Sequence, residues 1–305
     1  MTRTLASAVS LLALLAAVPA HADWRQQQPV LRVGILSGEN EADRLKRTAC
    51  LKEKLEQRMG VPVEMYPASD YAGVMQGLLA GQLDIAGLGP VAYAGIYLQD
   101  PEAVEPVLVN AQVDGTLGYY AVIVARADSG VETFDDLKGK SLAWADPNSA
   151  SGFLYPKGQL ELSGVNIDEF FGQTGFSGGH EQGVVAVLNG QYDAAATWSS
   201  LQGEYAEGYS RGNLRRMVNN GLLDMNDIRI VWTSDIIPNG PLVLRRALPQ
   251  EAKDMLVGIY VRMHLDDPEC FRSISGGDAG GFVPTNHAFY EGSVELRRRE
   301  IAQSR

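Results

Sequence analysis

Two stretches decide how this chain reads: GVMQGLLAGQLDIA at residues 73–86 and GVVAVLNGQYDAA at residues 183–195. Each is an apolar helical run halted by glycine, followed by Gly-Gln, any residue, Asp and a short apolar strand. Gln82 and Asp84 open the first of these strands, Gln191 and Asp193 the second. A matched order over about a dozen residues, recurring about 110 residues later, argues for two similar αβ units.

Working outward, LRVGIL at 31–36 reads as a buried strand ending at Ser37-Gly38, followed by a charged helix over 41–59 and a strand over 63–66. Short apolar strands between helices fit parallel sheets covered on both faces. YYAVIVA at 119–125 is a suitable first crossing between two lobes, and IRIVW at 228–232 a second. Residues 250–263 have helical periodicity, and the charged helix over 291–300 is expected to close the first lobe. The fold class is therefore α/β: lobe 1 over 29–119 plus 230–305, lobe 2 over 120–229, a hinge of two crossing strands, and a ligand cleft between the lobes. Loops at the carboxyl ends of both sheets would line that cleft.

Length and composition agree. The 305 residues make about two domains, with 45% hydrophobic and 21% charged residues. Lys and Arg number 26 against 37 Asp and Glu, a net charge of −11, the reverse of what a phosphate-backbone binder needs, so no nucleic acid partner is expected. Cys50 and Cys270 stand far apart and the histidines number 4, so neither a zinc knuckle nor a redox CxxC can be written and no metal or cofactor is expected. HExxH, GxxxxGK[ST] and GxGxxG are absent. A hydrolase could be drawn from Ser149, His180 and Asp146, but no spacing signature stands behind it.

Residues 1–22, MTRTLASAVSLLALLAAVPAHA, carry Arg3, an apolar run over 11–18 and Ala20-His21-Ala22 as a small-x-small cleavage site. This is the pattern of a secretory signal peptide, and the apolar run is too short for a membrane span. Export would permit a disulfide between Cys50 and Cys270, which sequence alone leaves open.

The segment DPNSASGFLYP at 146–156 follows an expected strand over 141–145. Backbone N–H groups at a helix start, with the hydroxyls of Ser149 and Ser151, make a site for a tetrahedral oxyanion, and Gly152 lets a ligand approach the backbone. The same residues serve equally as a plain helix cap. His180, in SGGHE, can donate one hydrogen bond when neutral and two when charged, which suits an anionic oxygen, and it too could be a cap. Tyr71, at a helix start, and Tyr93, after the strand of the first repeat, are phenols able to reach an oxyanion, or else half-buried helix residues. Thr197 and Trp198 follow the strand of the second repeat and should face the cleft, although Trp198 could equally be core.

Several phrases together resemble the phosphonate-binding component of bacterial ABC importers: DYAGVMQG at 70–77, LGPVAY at 88–93, DPNSASGFL at 146–154 and GHE at 179–181, with fainter similarity at VWTS (231–234) and IP (237–238). The resemblance implies a two-lobed periplasmic-binding-protein fold of type II, an exported protein, and no catalytic residues. It implies that Tyr71, Ser149, Ala150, Ser151, Gly152 and His180 hold the phosphonate oxygens, that Leu88 replaces a tyrosine of some members, and that Ala150 stands where a threonine is often found. It further implies an ABC permease and its ATPase as partners, with the binding protein itself expected as a monomer. Members that take aminoalkyl phosphonates resemble one another in acidic residues that grip the ammonium; the corresponding places here are Ser200 and Gly240, which cannot pair with a cation, although Asp235 or Glu204 could supply charge from elsewhere. An amine-free phosphonate, phosphite or phosphate is therefore the expected ligand. Two alternatives remain: a binding protein of the same architecture for a sulfonate or thiamine precursor, and an exported phosphoesterase using Ser149 and His180.

Overall fold

A computed structural model describes residues 23–38 and 40–303; the leader expected over 1–22 lies outside the described residues. The chain forms two six-stranded mixed sheets with helices on their faces. The first holds β1 (Leu31–Ile35), β2 (Val63–Pro67), β3 (Ile85–Gly87) and β4 (Val104–Ala111). The second holds β5 (Gly118–Arg126), β6 (Ser141–Trp144), β7 (Gln173–Phe176), β8 (Ala194–Ser199), β9 (Ile228–Thr233) and β10 (Ile237–Pro238). β11 (Pro241–Arg245) and β12 (Gly281–Pro284) return to the first.

Strand order is β12-β4-β11-β3-β1-β2 in the first sheet and β10-β5-β8-β6-β7 in the second, where β9 also pairs with β5. Only the β2-β1-β3 and β7-β6-β8 portions are parallel. The expectation of wholly parallel sheets is corrected here: β4, β5, β9 and β11 run antiparallel to their neighbours because the chain passes from sheet to sheet through them. Apolar residues pack on both faces of each sheet, which gives the short strands their near-continuous hydrophobic character.

The repeated phrase has one physical meaning in both halves. Helices Tyr71–Leu79 and His180–Leu188 run up to Gly81 and Gly190, which adopt left-handed φ values of 68° and 71° and turn the chain into β3 and β8. Asp84 and Asp193 then fasten those strands to their parallel neighbours: Arg32 N–H donates to Asp84 Oδ2 at 2.9 Å, and Ser141 N–H to Asp193 Oδ2 at 2.8 Å. Asp84 is fully buried and is matched by Arg245, whose Nη2 stands 2.8 Å from Oδ1.

The chain leaves the first sheet between β4 and β5, over 112–117, and returns at Asn239-Gly240 between β10 and β11. By sheet membership the boundary expected at 230 falls inside the second sheet, because IRIVW, as β9, pairs along β5 instead of crossing. The second passage is therefore two residues of close-packed backbone: a Cβ on Gly240 would collide with the carbonyl of Leu88.

Helix Glu291–Gln303 touches both halves. It packs on helix Pro90–Gln99, while Arg297 Nη2 donates to Asn148 Oδ1 at 2.8 Å and Ser293 Oγ lies 2.9 Å from Tyr155 Oη. Cys50 and Cys270 form a disulfide, with Cα atoms 5.8 Å apart, that ties helix Pro268–Ser275 to helix Glu41–Met59.

Candidate binding site between the two sheets

The serine-rich segment after β6 forms a wide turn, Ala150–Leu154, running into helix Tyr155–Leu162. Ser149 is its cap: Oγ accepts from Gly152 N–H at 3.0 Å. The same oxygen lies 3.2 Å from His180 Nε2, so cap and histidine share one atom. Ser149 and His180 are 1% and 6% exposed, and the contact spans 31 residues of sequence. Gly152 is required by packing, since a Cβ there would meet Ala145 and come within 2.9 Å of His180 Cε1.

Tyr71 and His180 hold equivalent places in the two repeats, each the first residue of its helix and each 13 residues ahead of the strand-opening aspartate (84 − 71 and 193 − 180). Both helix starts thus meet at the seam between the sheets. There Tyr71 N–H donates to Asp146 Oδ2 at 3.4 Å, and Glu181 N–H to the carbonyl of Gly38 at 3.2 Å. The lips touch closely enough that a Cβ on Gly179 would collide with Gly38. Burial, with a smaller contribution from Asp70, raises the Asp146 carboxyl above the ordinary range, against the lowering effect of the N–H groups of Asn148 and Tyr71.

Behind these lips lies a cavity of about 280 Å³. Of the residues expected at the site, Tyr71, Leu88, Ser149, Ala150, Ser151, His180 and Trp198 line it. Tyr93, Thr197 and Gly152 do not. Tyr93 is turned into the core, its hydroxyl 2.9 Å from His287 Nδ1, and burial pushes it up to about 12. Thr197 is wholly buried and its Oγ1 accepts from Asn213 Nδ2 at 3.0 Å, so the strand face expected toward the cleft is turned inward at that residue. Gly152 supplies close packing beneath the turn.

Gly240 lines the cavity, while Ser200 faces away, its Oγ 2.9 Å from Ser210 Oγ. Neither Asp235 nor Glu204 reaches the wall, and among the described residues no Asp or Glu lines the cavity.

Sequence reasoning missed several wall residues: Tyr119, Arg47, Arg211 and Arg216, with Asn110, Asn213 and Asn239. Burial drives the Tyr119 hydroxyl up to about 12, against a hydrogen bond with Ser151. The Tyr119 ring meets Trp198 edge to face at 5.4 Å. The clue available for the arginines was a local run, RGNLRR at 211–216, in an acid-rich chain, but that spacing points at no particular face.

The drawn triad is not assembled as a triad: the Asp146 carboxylate accepts from Asn148 N–H at 2.7 Å and from Tyr71 N–H. One GxSxG pentad does occur, GYSRG at 208–212, but Ser210 follows the short turn Tyr205–Glu207 instead of ending a strand, unlike a nucleophile elbow. No cluster of metal-ligating side chains is found among the described residues.

Two mixed sheets with helices on their faces, joined by two short passages and with a cavity between helix starts of both, have the architecture of the type II periplasmic-binding-protein fold. Residues 33–290 match the family described as "ABC transporter, phosphonate, periplasmic substrate-binding protein". The chain is 31% identical to the phosphonates-binding periplasmic protein of Escherichia coli over 80% of this chain and 68% of that one. It is 29% identical to the phosphate-import protein PhnD of Mycolicibacterium smegmatis over 94% of this chain and 93% of that one. PhnD1 of Prochlorococcus marinus, solved in complex with methylphosphonate, shares the fold with a TM-score of 0.75 at 21% identity, covering 89% of this chain and 98% of that one. The chain belongs to the phosphonate-binding family of periplasmic ABC-transporter substrate-binding proteins.

Proposed function

We propose that this protein captures a small phosphorus oxyanion in the periplasm and presents it, chemically unchanged, to an ABC permease and its ATPase. One observation carries the reading: the cavity wall holds the Ser149–Ser151 turn, His180 and three arginines, and no carboxylate among the described residues. Oriented N–H and O–H donors bind an oxyanion at contact distance, and surface charges, screened over about 8 Å at physiological salt, do not prevent it despite the acidic net charge. Family membership supports the class of ligand.

In this reading the phosphorus oxygens lie at Tyr71, Ser149, Ser151 and His180, with the backbone of Ala150 replacing the missing hydroxyl. Leu88 and Trp198 form apolar walls. The ligand carries no amine: Ser200, Gly240, Asp235 and Glu204 offer no carboxylate to the cavity, and an unpaired ammonium there would lose its hydration without compensation. The passages at 112–117 and Asn239-Gly240 act as the hinge between the lobes, and the lip contacts Tyr71–Asp146 and Gly38–Glu181 belong to the closed state, so that ligand binding shifts an open-closed equilibrium. The protein works as an exported monomer once its leader is removed.

The test is calorimetric titration of the protein, stripped of ligand by unfolding and refolding, with methylphosphonate, phosphite, phosphate, sulfate and 2-aminoethylphosphonate in parallel. Tight binding of an amine-free phosphorus oxyanion, recovered unchanged, is expected. Preference for 2-aminoethylphosphonate would overturn the amine-free assignment, and silence toward every phosphorus compound would overturn the reading; a phosphomonoester added as a sixth ligand and recovered hydrolysed would favour the Ser149–His180 pair as a catalyst.

A further inference from the structure

Helix Glu291–Gln303 comes after the last strand of the first sheet and packs on helix Pro90–Gln99. Ser293, Leu296 and Arg297 stand three and four positions apart, on one face, and reach the other half of the molecule. Ser293 Oγ lies 2.9 Å from Tyr155 Oη, and a Cβ on Gly158 would come within 3.3 Å of Leu296 Cδ1. Arg297 meets the loop in front of the serine turn.

That loop, Asp146-Pro147-Asn148, turns its backbone donors inward: Asn148 N–H donates to Asp146 Oδ1 at 2.7 Å and Ser149 N–H to the Asp146 carbonyl at 2.9 Å. Two of its acceptors turn outward, and Arg297 serves both, Nη2 donating to Asn148 Oδ1 at 2.8 Å and Nη1 to the Pro147 carbonyl at 3.3 Å. A guanidinium has only donors, so it also fixes the Asn148 amide with its oxygen toward the helix. Tyr71 N–H reaches Asp146 Oδ2 from the same side. Three N–H donors from elements of the first sheet thus converge on three consecutive residues of the second, directly before Ser149.

The plain alternative is a helix ion pair that happens to touch a loop, since Glu300 lies 3.3 Å from Arg297 Nη1. The Arg297 side chain, however, is only 16% exposed, so its charge-assisted bonds to the loop are largely shielded from water. Arg297 is not on the cavity wall and can reach a ligand only through that loop. Bonds between the two halves are lost when the halves part; what they contribute belongs to the closed state, and a ligand that binds by closing inherits it as affinity.

We propose that Arg297 is a positioning residue for anion capture, clamping the Asp146–Asn148 loop, and with it the Ser149 turn, to the C-terminal helix as the cleft closes. The proposal rests on the capture-by-closure reading above and goes beyond it by giving the C-terminal helix a part in closing.

The test uses Arg297→Gln, Asn148→Ala and the double variant, each titrated calorimetrically with whichever of methylphosphonate, phosphite and phosphate binds wild type most tightly. Melting of the ligand-free proteins and hydrogen exchange over residues 291–303 are measured alongside. Each single variant should lose affinity at least roughly fivefold, and the double variant should lose no more than the single ones. Exchange in the helix should slow on ligand binding in wild type and fail to do so in Arg297→Gln. A merely structural Arg297 would lower the Tm of the ligand-free protein while affinity and ligand-dependent exchange stay as in wild type, which overturns the proposal, as do additive losses in the double variant. Should Arg297→Gln not fold, Asn148→Ala and the exchange of the wild-type helix decide. Intact affinity in the variants overturns this proposal alone; silence of wild type toward all three ligands overturns the capture reading with it.

Discussion

Ser149→Ala separates a helix cap from an oxyanion ligand, because the structure gives Ser149 the means to be either. Its Oγ accepts from Gly152 N–H at 3.0 Å and lies 3.2 Å from His180 Nε2, in a place 1% exposed. As a cap alone, its loss costs about 1 kcal/mol. For a chain of this size that lowers Tm by about 2–4 °C. As a ligand group, the hydroxyl donates to an anionic oxygen, and a hydrogen bond to a charged group contributes about 1.5–3 kcal/mol, so affinity falls roughly 10- to 150-fold. The two effects are read on one sample: differential scanning calorimetry of the ligand-free variant for the cap, isothermal titration with methylphosphonate for the ligand. The expected result is a small Tm loss together with a loss of affinity of at least roughly tenfold. A variant that melts 2–4 °C lower but binds within about threefold of wild type would show Ser149 to be a cap only, and would refute the oxyanion turn.

Gly179→Ala tests closure without touching the ligand: its backbone is extended (φ 168°), so alanine is not strained there; its Cβ meets the end of the flexible Gln182 side chain, which can swing aside, and the backbone of Gly38 across the lips, which cannot. Affinity should fall roughly 5- to 100-fold and small-angle scattering should show a larger ligand-saturated particle; wild-type values for both would rule out this contact as part of closing. Asp146 bears on pH. A carboxyl raised on folding destabilises the protein when ionised, so the stability of wild type relative to Asp146→Asn should rise as pH falls from about 7 to about 4. Melting curves of both proteins across that range check the sign, and a difference that shrinks on acidification would contradict it. Reducing the Cys50–Cys270 bridge, which closes a separation of 220 residues, should lower Tm by roughly 5–15 °C; an unchanged Tm under reductant would mean that neighbouring contacts already hold the Pro268–Ser275 helix.

What the sequence determined by itself was local and periodic. The Gly-Gln-x-Asp phrase gives the same instructions twice, glycine to end a helix and aspartate to fasten the next strand, because both acts involve neighbouring backbone and depend little on distant chain. The serine turn was legible for the same reason: Ser149 caps Gly152 three residues on. His180 and Tyr71 could be named as helix starts, but that both starts meet at one seam follows from how the two sheets face each other.

Tertiary structure decided the rest. Thr197, expected toward the cleft, and Tyr93, for which the sequence leaves a cleft phenol and a packed helix residue open, both lie in the core, since side-chain direction at a strand end or helix start turns on pleat and packing that the residue type does not carry. The second passage between sheets moved from 228–232 to Asn239-Gly240 because strand pairing with β5 is a long-range choice. The place of Arg211 in the cavity wall is not fixed by its local RGNLRR run for the same physical reason: Arg211 is aimed by Ser275 and Asn239, 64 and 28 residues away, and only the folded chain brings those acceptors to it.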